Sequence, residues 1–537
     1  MRRLARSAHT SAPYVPAHPA TDLAVRRLRD AGAPMGGEHA TPRHDPLPDH
    51  VGAPVSARCG LVIATGSLPV VKPDATTSGV TGLPDDPVTA ALTELAGKAG
   101  TVWIGRRHDP RHSTMVPRID EPQLSAEEHH LYDAGYVQQT IWPLYHDLPW
   151  PSVHEEEWRR THHTVNLRFA RAIADRAADG AAVCVCDYRL QLVPGLLRLL
   201  RPDLRIGLHL PIPFPPHDLL EHLPGHDQLR LGLLGADLIG FQTEQAADNF
   251  RRLRDASPPF GPSYGAGNVG VYPSSAETFR IRALAARSDV RERASAIRAS
   301  LGDTRTVVLS IDTADQAQGV ERRLRALGEL FATGSVTSQH ATLVQILVRS
   351  DTLPVSPKAV DAVARQVARI NGEAGDIGRP CVHYVLTEPN LEHRVALYLA
   401  ADVMMATPLR QAAHLEALEI VTANPDRGLL VLSEFTGTAT TLPEAVIVNP
   451  NDEDDIRQAF STALSMGRKE RYARMRAMHD RVIGSDHQTW LNAFLNDLRA
   501  GSRTNVALRD HQRRRIHLTR HYGRRDPARY RYGEDLR

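Results

Sequence analysis

The sequence predicts an α/β protein built from two doubly wound, Rossmann-like domains that face each other across a cleft. Short strand-type runs alternate with amphipathic helical stretches along most of the 537 residues, which is typical of parallel sheets wound by right-handed crossovers. Several of these runs are unbroken stretches of Val, Ile and Leu, as expected for strands that are covered on both faces. About eleven such runs are too many for one compact sheet of this kind, so we expect two.

Each element is predicted from a local pattern. Runs rich in Val, Ile and Leu predict strands at 60–63, 101–104, 182–186, 206–210, 238–241, 306–311, 343–348, 382–385, 403–406, 429–432 and 445–448. Apolar residues that recur at helical spacing predict helices at 193–200, 289–301, 319–330, 356–371, 392–400 and 452–466.

The chain divides into four segments. Residues 1–57 are rich in Pro, Ala, His and Arg without a sustained period, and predict a disordered leader. The first domain is assigned to 58–275 and the second to 276–500, with the boundary shortly after Pro273. Residues 501–537 form an Arg- and His-rich tail, which is typical either of a contact with RNA, acidic partners or membrane, or of a solvated helical extension. Because ligands of such sheets bind at the carboxyl ends of the strands, we expect the site in the cleft.

Composition and charge narrow the classes of function. The formal net charge is +2, which argues against a general attraction to nucleic acid or to a membrane surface. No apolar stretch reaches the roughly 18 residues of a membrane span, and the start MRRLAR lacks the apolar segment of a secretory signal. The four cysteines are too scattered for a disulfide framework, and Cys184 and Cys186 are expected to share one face of a strand as buried thiols. These features predict a cytoplasmic protein.

Several blocks of sequence carry a family resemblance. Between residues 142 and 250 the chain reads WPLYHD, CDYRLQLVPGLLRLLRPDLRIG, PIPFPP and LLGADLIGFQTEQAADNF. Further on come RINGEAGDIGRPCVHY, ALYLAADVMMATPLR, LLVLSEFTG and VNPNDEDDIRQAF. In their order and spacing, from about residue 60 to 498, these blocks strongly resemble the trehalose-6-phosphate synthase family of retaining glycosyltransferases.

The resemblance implies a fold, a reaction and a set of site residues. The fold would be GT-B, and the reaction would transfer glucose from UDP- or GDP-glucose to glucose 6-phosphate with retention, without a metal or another cofactor. On the acceptor side the resemblance assigns substrate contacts to Trp142, Asp187 and Tyr188. On the nucleotide side it assigns contacts to Glu419, Leu415 and Arg349, where the register of Arg349 is open by one residue.

The donor-phosphate elements depart from the family pattern. The family places an Arg and a Lys in a loop written R-L-D-Y-[ST]-K-G, whereas residues 313–319 read TADQAQG, with Thr313 and Gln318 at the two cationic positions. The family's D-G-M-N-L-V-A-K-E corresponds to QAAHLEALE at 411–419, so that Gln411 replaces the Asp that contacts the donor sugar. Glu416 stands where the family has an uncharged Val, and like charge there would repel a phosphate unless the side chain turns away. His414 is a candidate for replacing some of the lost positive charge.

The acceptor side departs as well. The family's S-N-R-L-P-V reads TGSLPV at 65–70, which puts Ser67 in place of the Arg that grips the sugar phosphate, and its Gly-Gly pair aligns with Asp85 and Asp86. Pro211 replaces the active-site His. His209, two residues earlier on the same strand face, is the candidate stand-in.

Three hypotheses follow from this pattern. In the first the chain is an active but divergent glycosyltransferase with an altered donor or acceptor. In the second it is a non-catalytic relative that binds a sugar phosphate, a nucleotide sugar or an intact synthase. In the third it resembles the cyclitol-joining pseudo-glycosyltransferases, which also need a nucleotide-bearing donor. The clustered loss of phosphate contacts favours the second hypothesis.

Overall fold

The computed structural model describes residues 58–71, 87–107, 113–114, 119–148, 152–256, 267–302, 305–348, 357–484 and 486–501. The predicted leader at 1–57 and residues 502–537 of the predicted tail lie outside the described residues, as do Asp85, Asp86 and Arg349.

The first domain is a parallel sheet with helices on both faces. The strands of the sheet are β1 (Cys59–Ala64), β3 (Thr101–Ile104), β5 (Ile119–Asp120), β6 (Ala177–Val185), β7 (Arg205–Leu210), β8 (Leu238–Phe241) and β9 (Asn268–Val271). Two further strands, β2 (Val70–Val71) and β4 (Ser113–Thr114), form a separate antiparallel pair. The parallel strands lie in the order β5-β3-β1-β6-β7-β8-β9. Because β1 lies near the centre, the loops after β1 and β6 meet at one edge of the sheet.

The helices of the first domain follow the strands in sequence. They are α1 (Pro87–Ala96), α2 (Ala126–His129), α3 (Trp142–Tyr145), α4 (Glu156–Arg176), α5 (Val193–Leu200), α6 (His217–Glu221), α7 (His226–Leu234) and α8 (Glu244–Asp255). A π-helical segment, His130–Ile141, joins α2 to α3. Such segments are rare and often lie at functional sites, and this one leads directly into Trp142.

The second domain repeats the same design. Its strands are β10 (Thr306–Thr313), β11 (Ala341–Val348), β12 (Val382–Leu386), β13 (Val403–Ala406), β14 (Leu430–Ser433) and β15 (Val446–Val448), which lie parallel in the order β12-β11-β10-β13-β14-β15. Its helices, with the last helix that the structure describes, are α9 (Thr278–Ala286), α10 (Ser288–Leu301), α11 (Val320–Ala332), α12 (Pro357–Ala374), α13 (Leu391–Ala400), α14 (Leu415–Ala423), α15 (Thr438–Thr441), α16 (Glu453–Ser465), α17 (Arg468–Val482) and α18 (His487–Ala500).

The two parallel sheets confirm the predicted fold class. Each predicted strand and helix corresponds to an observed one, within a few residues at its ends. The prediction missed β2, β4 and β5, because two residues carry too short a pattern to stand out from a loop. It also missed β9, whose four residues include Asn268 and Gly270, which are both uncommon in strands.

The last of the described helices, α18, packs on the first domain. The sequence analysis assigned residues 276–500, and with them α18, to the second domain. The apolar side of α18 nevertheless packs on the first sheet, where Trp490 and Phe494 belong to the same hydrophobic core as Leu61 and Trp103. The phenolic O–H of Tyr272, just after β9, also donates to Asp497 at 2.7 Å. The chain therefore returns to the first domain at α18, and the predicted domain boundaries stay predictions.

The four cysteines are buried and form no disulfide. Cys184 in β6 and Cys186, directly after it, lie on the same side as predicted, with their Sγ atoms 3.2 Å apart. In the part of the chain that the structure describes, no helix combines the length and the apolar character needed to cross a bilayer.

Helices α5 and α7 touch through their backbones, which makes a testable contact. A Cβ atom on Gly235 would lie 2.4 Å from the Cα and N atoms of Gly195. We expect Gly235→Ala to lower the free energy of unfolding by about 1–3 kcal/mol, because the helices must separate. The control Gly372→Ala, in α12 with no atom within 4 Å of the new Cβ, should raise it by up to about 1 kcal/mol through helix propensity. Chemical denaturation measures both, and equal effects would contradict the close approach.

Candidate functional site

The predicted acceptor residues Trp142 and Tyr188 lie together at the carboxyl edge of the first sheet. The Trp142 ring lies 3.9 Å from the ring of His146 and 5.9 Å from that of Tyr188, between centroids. Trp142 is half-buried, and its indole N–H has no hydrogen-bond partner. Burial raises the pKa of Tyr188, and the negative charge of Asp315 in the second domain adds to the rise. Asp315 belongs to the donor loop, residues 313–319, to which the resemblance assigns the donor phosphates.

Asp187 caps the short 3₁₀ turn after β6, and its carboxylate is engaged by its own chain. The backbone N–H of Gly66 donates to Oδ2 at 2.7 Å. The guanidinium of Arg189 donates to Oδ1 through Nε at 3.0 Å and to Oδ2 through a terminal nitrogen at 2.9 Å. The carboxylate that the resemblance assigns to a sugar is thus held by an arginine two residues away.

A second Arg–Asp pair lies beside the first. Arg106, on the chain after β3, donates to both carboxylate oxygens of Asp133, at 3.0 and 3.2 Å, and to the carbonyl of Gly66 at 3.2 Å. Burial alone would raise the pKa of Asp133. A hydrogen bond from His129 and the charges of Arg106 and Arg189 outweigh it and hold the pKa well below the ordinary value. Asp133 is therefore a carboxylate at neutral pH.

The donor loop closes on itself. Asp315 accepts hydrogen bonds from the hydroxyl of Thr313 at 2.6 Å, from the N–H of Ala317 at 2.7 Å and from the amide of Gln318 at 3.5 Å. Gly319 has φ 67°, and a Cβ there would lie 2.5 Å from the carbonyl oxygen of Thr407. Asp315 and Gly319 therefore hold the shape of the loop, and the side chains of Thr313 and Gln318 point at Asp315.

A cavity of about 180 Å³ lies against this loop. Asp315, Gln316 and Gly319 line it together with apolar side chains of β11 and α12 and with Arg322 and Arg325 of α11. Arg325 donates to Glu453 at 3.0 Å, whereas Arg322 makes a single bond of 3.4 Å to the carbonyl of Asn451. These two arginines are the cations that the cavity offers. Among the described residues, no group of three His, Cys, Asp or Glu side chains is placed to hold a metal ion.

The second phosphate element also lacks a cation. His414 is 1% exposed and caps α14, since its Nδ1 accepts the N–H of Ala417 at 3.3 Å. Residues 411–419 contain no Lys or Arg. Glu416 lies 3.3 Å from the Nδ1 atom of His414, and its side chain is 32% exposed. The side-chain oxygen of Gln411 is buried without a partner.

Glu419 is buried within α14 and is bound by residues of α13. Arg394 donates to both of its carboxylate oxygens, at 3.0 and 3.1 Å, and the hydroxyl of Tyr398 donates to one of them at 2.7 Å. Burial raises the pKa of Glu419 despite the arginine. Leu415, at the start of the same helix, is half-buried. The carboxylate that the resemblance assigns to the nucleotide ribose is therefore already paired.

One arginine spans the two domains. Arg410, after β13, pairs with Asp147 of the first domain at 3.4 Å. Asp147 has φ 50°, a left-handed conformation that Asp tolerates better than most residues. The pair lies next to His146. Burial lowers the pKa of His146, and the positive charge of Arg410 lowers it further. Arg410 thus links the domains and is partly neutralised.

His209 is not the stand-in that the sequence suggested. Strand β7 ends at Leu210, so the alternation that relates His209 to position 211 stops there, and Pro211 is exposed while His209 is 0% exposed. The His209 ring stacks on Trp490 of α18 at 4.4 Å and hydrogen-bonds the carbonyl of Tyr272 at 3.2 Å. A ring enclosed in this way cannot touch a substrate, so the prediction is corrected.

The sequence analysis missed the arginines that hold the two surviving carboxylates. Arg189 was visible in the block CDYR, two residues after Asp187, but the pattern does not show that it folds back. Arg394 lies 25 residues from Glu419, and no local signal relates them.

Comparisons with known proteins agree with this architecture. The sequence model of glycosyltransferase family 20 matches residues 108–500. A trehalose-6-phosphate synthase of Mycobacterium sp. (strain KMS) is 38% identical over 442 residues, which cover 78% of this chain and 90% of that protein. An α,α-trehalose 6-phosphate synthase structure from Burkholderia multivorans has a TM-score of 0.73 at 25% identity and covers 84% of this chain and 100% of its own. The synthase of Burkholderia xenovorans solved with glucose 6-phosphate has a TM-score of 0.70 at 24% identity and covers 82% of this chain and 99% of its own.

The two parallel-sheet domains therefore form the predicted GT-B fold. The family match extends over most of the described domains, and the mycobacterial relative is similar along nearly its whole length. This chain belongs to glycosyltransferase family 20, as a trehalose-6-phosphate-synthase-like member.

Proposed function

We propose that this chain is a trehalose-6-phosphate-synthase-like protein whose catalysis is lost or much reduced. The observation that carries the proposal is the donor loop. Its residues 313–319 contain no Lys or Arg, and the side chains of Thr313 and Gln318 are bonded to Asp315.

The missing charge matters because of the leaving group. A nucleoside diphosphate departs with about two negative charges, and fixed cations and N–H donors must stabilise them in the transition state. Removing one such donor typically costs roughly 2.7–4 kcal/mol. With two cations absent and Glu416 nearby, normal turnover is not expected even if the losses are not additive.

The pairing of the ligand carboxylates supports the same conclusion. In a working site a carboxylate is left for a ligand hydroxyl, whereas Arg189 holds Asp187 and Arg394 holds Glu419. A non-catalytic member would act by binding a sugar phosphate or nucleotide sugar, or by associating with an intact synthase in the cytoplasm. Association with a synthase does not need a carboxylate that is free to bind a ligand. Because Asp187 and Glu419 are both paired with arginines, we favour association over ligand binding.

The alternative is an active, divergent transferase, and one observation favours it. Arg322 and Arg325 line the cavity next to Asp315, and Arg322 has a single long hydrogen bond. If Arg322 turned toward a bound diphosphate, it would supply part of the missing charge. A cyclitol-joining activity would need the same support, because its donor also carries a diphosphate.

An assay for nucleoside diphosphate release separates the two. The protein is incubated with UDP-glucose or GDP-glucose and glucose 6-phosphate, and separately with other acceptors. We expect no release above the uncatalysed rate. Release at a rate typical of a synthase with any pair of substrates would overturn the proposal, and copurification with an intact synthase would support the association.

Restoring the two cations should restore donor binding. We expect Thr313→Arg with Gln318→Lys to raise the affinity for UDP-glucose or GDP-glucose about a hundredfold, since a hydrogen bond to a charged group contributes about 1.5–3 kcal/mol. The control Ala332→Arg with Gln339→Lys adds the same charges at exposed positions near the opposite end of β11 and α11. Isothermal titration calorimetry measures both. An unchanged affinity in the first variant would show that the cleft has been rebuilt beyond the phosphate contacts.

A further inference from the structure

Asp187 has no accepting capacity left for a ligand. A carboxylate offers about four lone-pair sites. Here Oδ1 accepts from the backbone N–H of Arg189 at 2.8 Å and from its Nε at 3.0 Å, while Oδ2 accepts from the N–H of Gly66 at 2.7 Å and from the Arg189 guanidinium at 2.9 Å. The residue is 6% exposed.

The Arg189 guanidinium also fills the space in front of that carboxylate. A Cβ atom on Gly66 would lie 2.7 Å from the Nε of Arg189 and 2.9 Å from its Cζ, so the side chain lies directly against the loop that follows β1. On its other side the Cζ lies 5.8 Å from the ring centroid of Tyr188. A sugar that reached Asp187 through this space would have to displace the arginine.

The positive charges of the arginines next to Asp187 are already balanced by carboxylates. Arg189 binds Asp187 and lies 3.9 Å from Asp133, and Arg106 binds Asp133 through two hydrogen bonds. Two guanidinium groups thus face two carboxylates, which leaves no formal net charge among them. A phosphate brought here would gain little attraction and would lose its hydration.

We propose that Arg189 is a specificity-determining residue that blocks the acceptor side of the cleft by occupying Asp187. The inference rests on the acceptor role that the proposed function takes from the family, but it concerns the first domain and not the donor loop. It predicts that the chain as it stands binds neither glucose nor glucose 6-phosphate. Once Arg189 is removed, Asp187 accepts the hydroxyls of an uncharged sugar.

The test measures glucose binding without a nucleotide. We expect Arg189→Gln to lower the Kd for glucose at least about tenfold, which corresponds to one regained hydrogen bond to a charged group. The matched control is Arg201→Gln, because Arg201 makes the same fork with Asp203, two residues away, with both bonds at 2.9 Å. That pair lies before β7, at the opposite end of the sheet. A merely structural role of Arg189 would change the melting temperature and would not create affinity for glucose.

A second variant provides a further measurement in case Arg189→Gln does not fold. Arg189→Lys keeps a positive charge near Asp187, but an ammonium group cannot bind both oxygens as the guanidinium does. We expect a smaller gain in glucose affinity than for Arg189→Gln. If neither folded variant binds glucose better than the Arg201→Gln control, or if the unmodified chain already binds glucose with a Kd in the micromolar range, the proposal is overturned.

A third variant distinguishes the sugar from the sugar phosphate. Arg189→Gln alone leaves one guanidinium facing two carboxylates, so we expect it to bind glucose more tightly than glucose 6-phosphate. Adding Ser67→Arg to that variant should raise its affinity for glucose 6-phosphate about tenfold. A preference for the phosphate in Arg189→Gln alone would contradict the charge balance described above. These results do not depend on UDP-glucose binding. The proposal that the donor site is lost can therefore be wrong while this inference is right, and this inference can be wrong while that proposal is right.

Discussion

Replacing Arg323 with methionine is expected to lower the free energy of unfolding by about 3–5 kcal/mol, because it leaves a buried carboxylate without its counter-charge. Arg323 and Asp312 form an ion pair beneath the donor loop in which both side chains are 0% exposed. Arg323 also donates to the hydroxyl of Thr407 at 2.8 Å, and Gln345 donates to Asp312 at 2.7 Å. Asp312 cannot reach water, so methionine removes the charge that compensates it.

The adjacent residue provides the control. Arg322→Met removes a half-buried arginine with one long hydrogen bond, and we expect a change within about 0.5 kcal/mol. The double variant Arg323→Met with Asp312→Leu should recover part of the loss, since it removes both charges together. Urea denaturation gives all three values. Equal stabilities of Arg323→Met and Arg322→Met would show that water reaches the buried pair.

Acidification from pH 7 to pH 5 is expected to remove on the order of 5 kcal/mol of stability through three buried histidines. Burial lowers the pKa of His146 to about 4, of His162 to about 3 and of His209 to about 4. In the unfolded chain each ring titrates near 6.5. Below about pH 6.5 the rings of the unfolded chain bind protons while those of the folded chain stay neutral. The free energy of unfolding therefore decreases as the pH is lowered, until the rings of the folded chain titrate as well.

The slope of the unfolding free energy against pH reports this directly. Between about pH 6 and pH 5 it should correspond to roughly two to three protons taken up on unfolding. His209→Gln cannot titrate, so its slope should be smaller by about one proton. Ring proton resonances followed by NMR should show three histidines that stay neutral at pH 5. A slope below one proton would contradict the burial of these rings.

Local pattern predicted most of the scaffold of this protein. The strands β3, β8 and β13 agree with the prediction at both ends, because a short, mostly apolar run flanked by glycine or polar residues marks a covered strand. The loss of the two donor-loop cations was also visible, since it depends only on which residues occupy positions 313 and 318. The resemblance assigns substrate contacts to Trp142 and Tyr188, whose rings lie 5.9 Å apart, and that assignment stays a prediction.

The state of the site residues was not predictable in the same way. His209 alternates like a strand residue that faces a cleft, but a helix from the far end of the chain covers it. The resemblance assigns ligand contacts to Asp187 and Glu419, yet each is held by an arginine of its own chain. A motif shows that a carboxylate is present and does not show what it binds.

The sequence by itself determined the fold, the family and the absence of cationic side chains in the donor loop, because each of these follows from residue type and local spacing. Only the tertiary structure decided that Arg189 and Arg394 occupy the two carboxylates and that α18 encloses His209. The physical reason is that hydrogen bonds and burial depend on which groups approach within a few ångströms. That proximity is set by the packing of elements far apart in the chain.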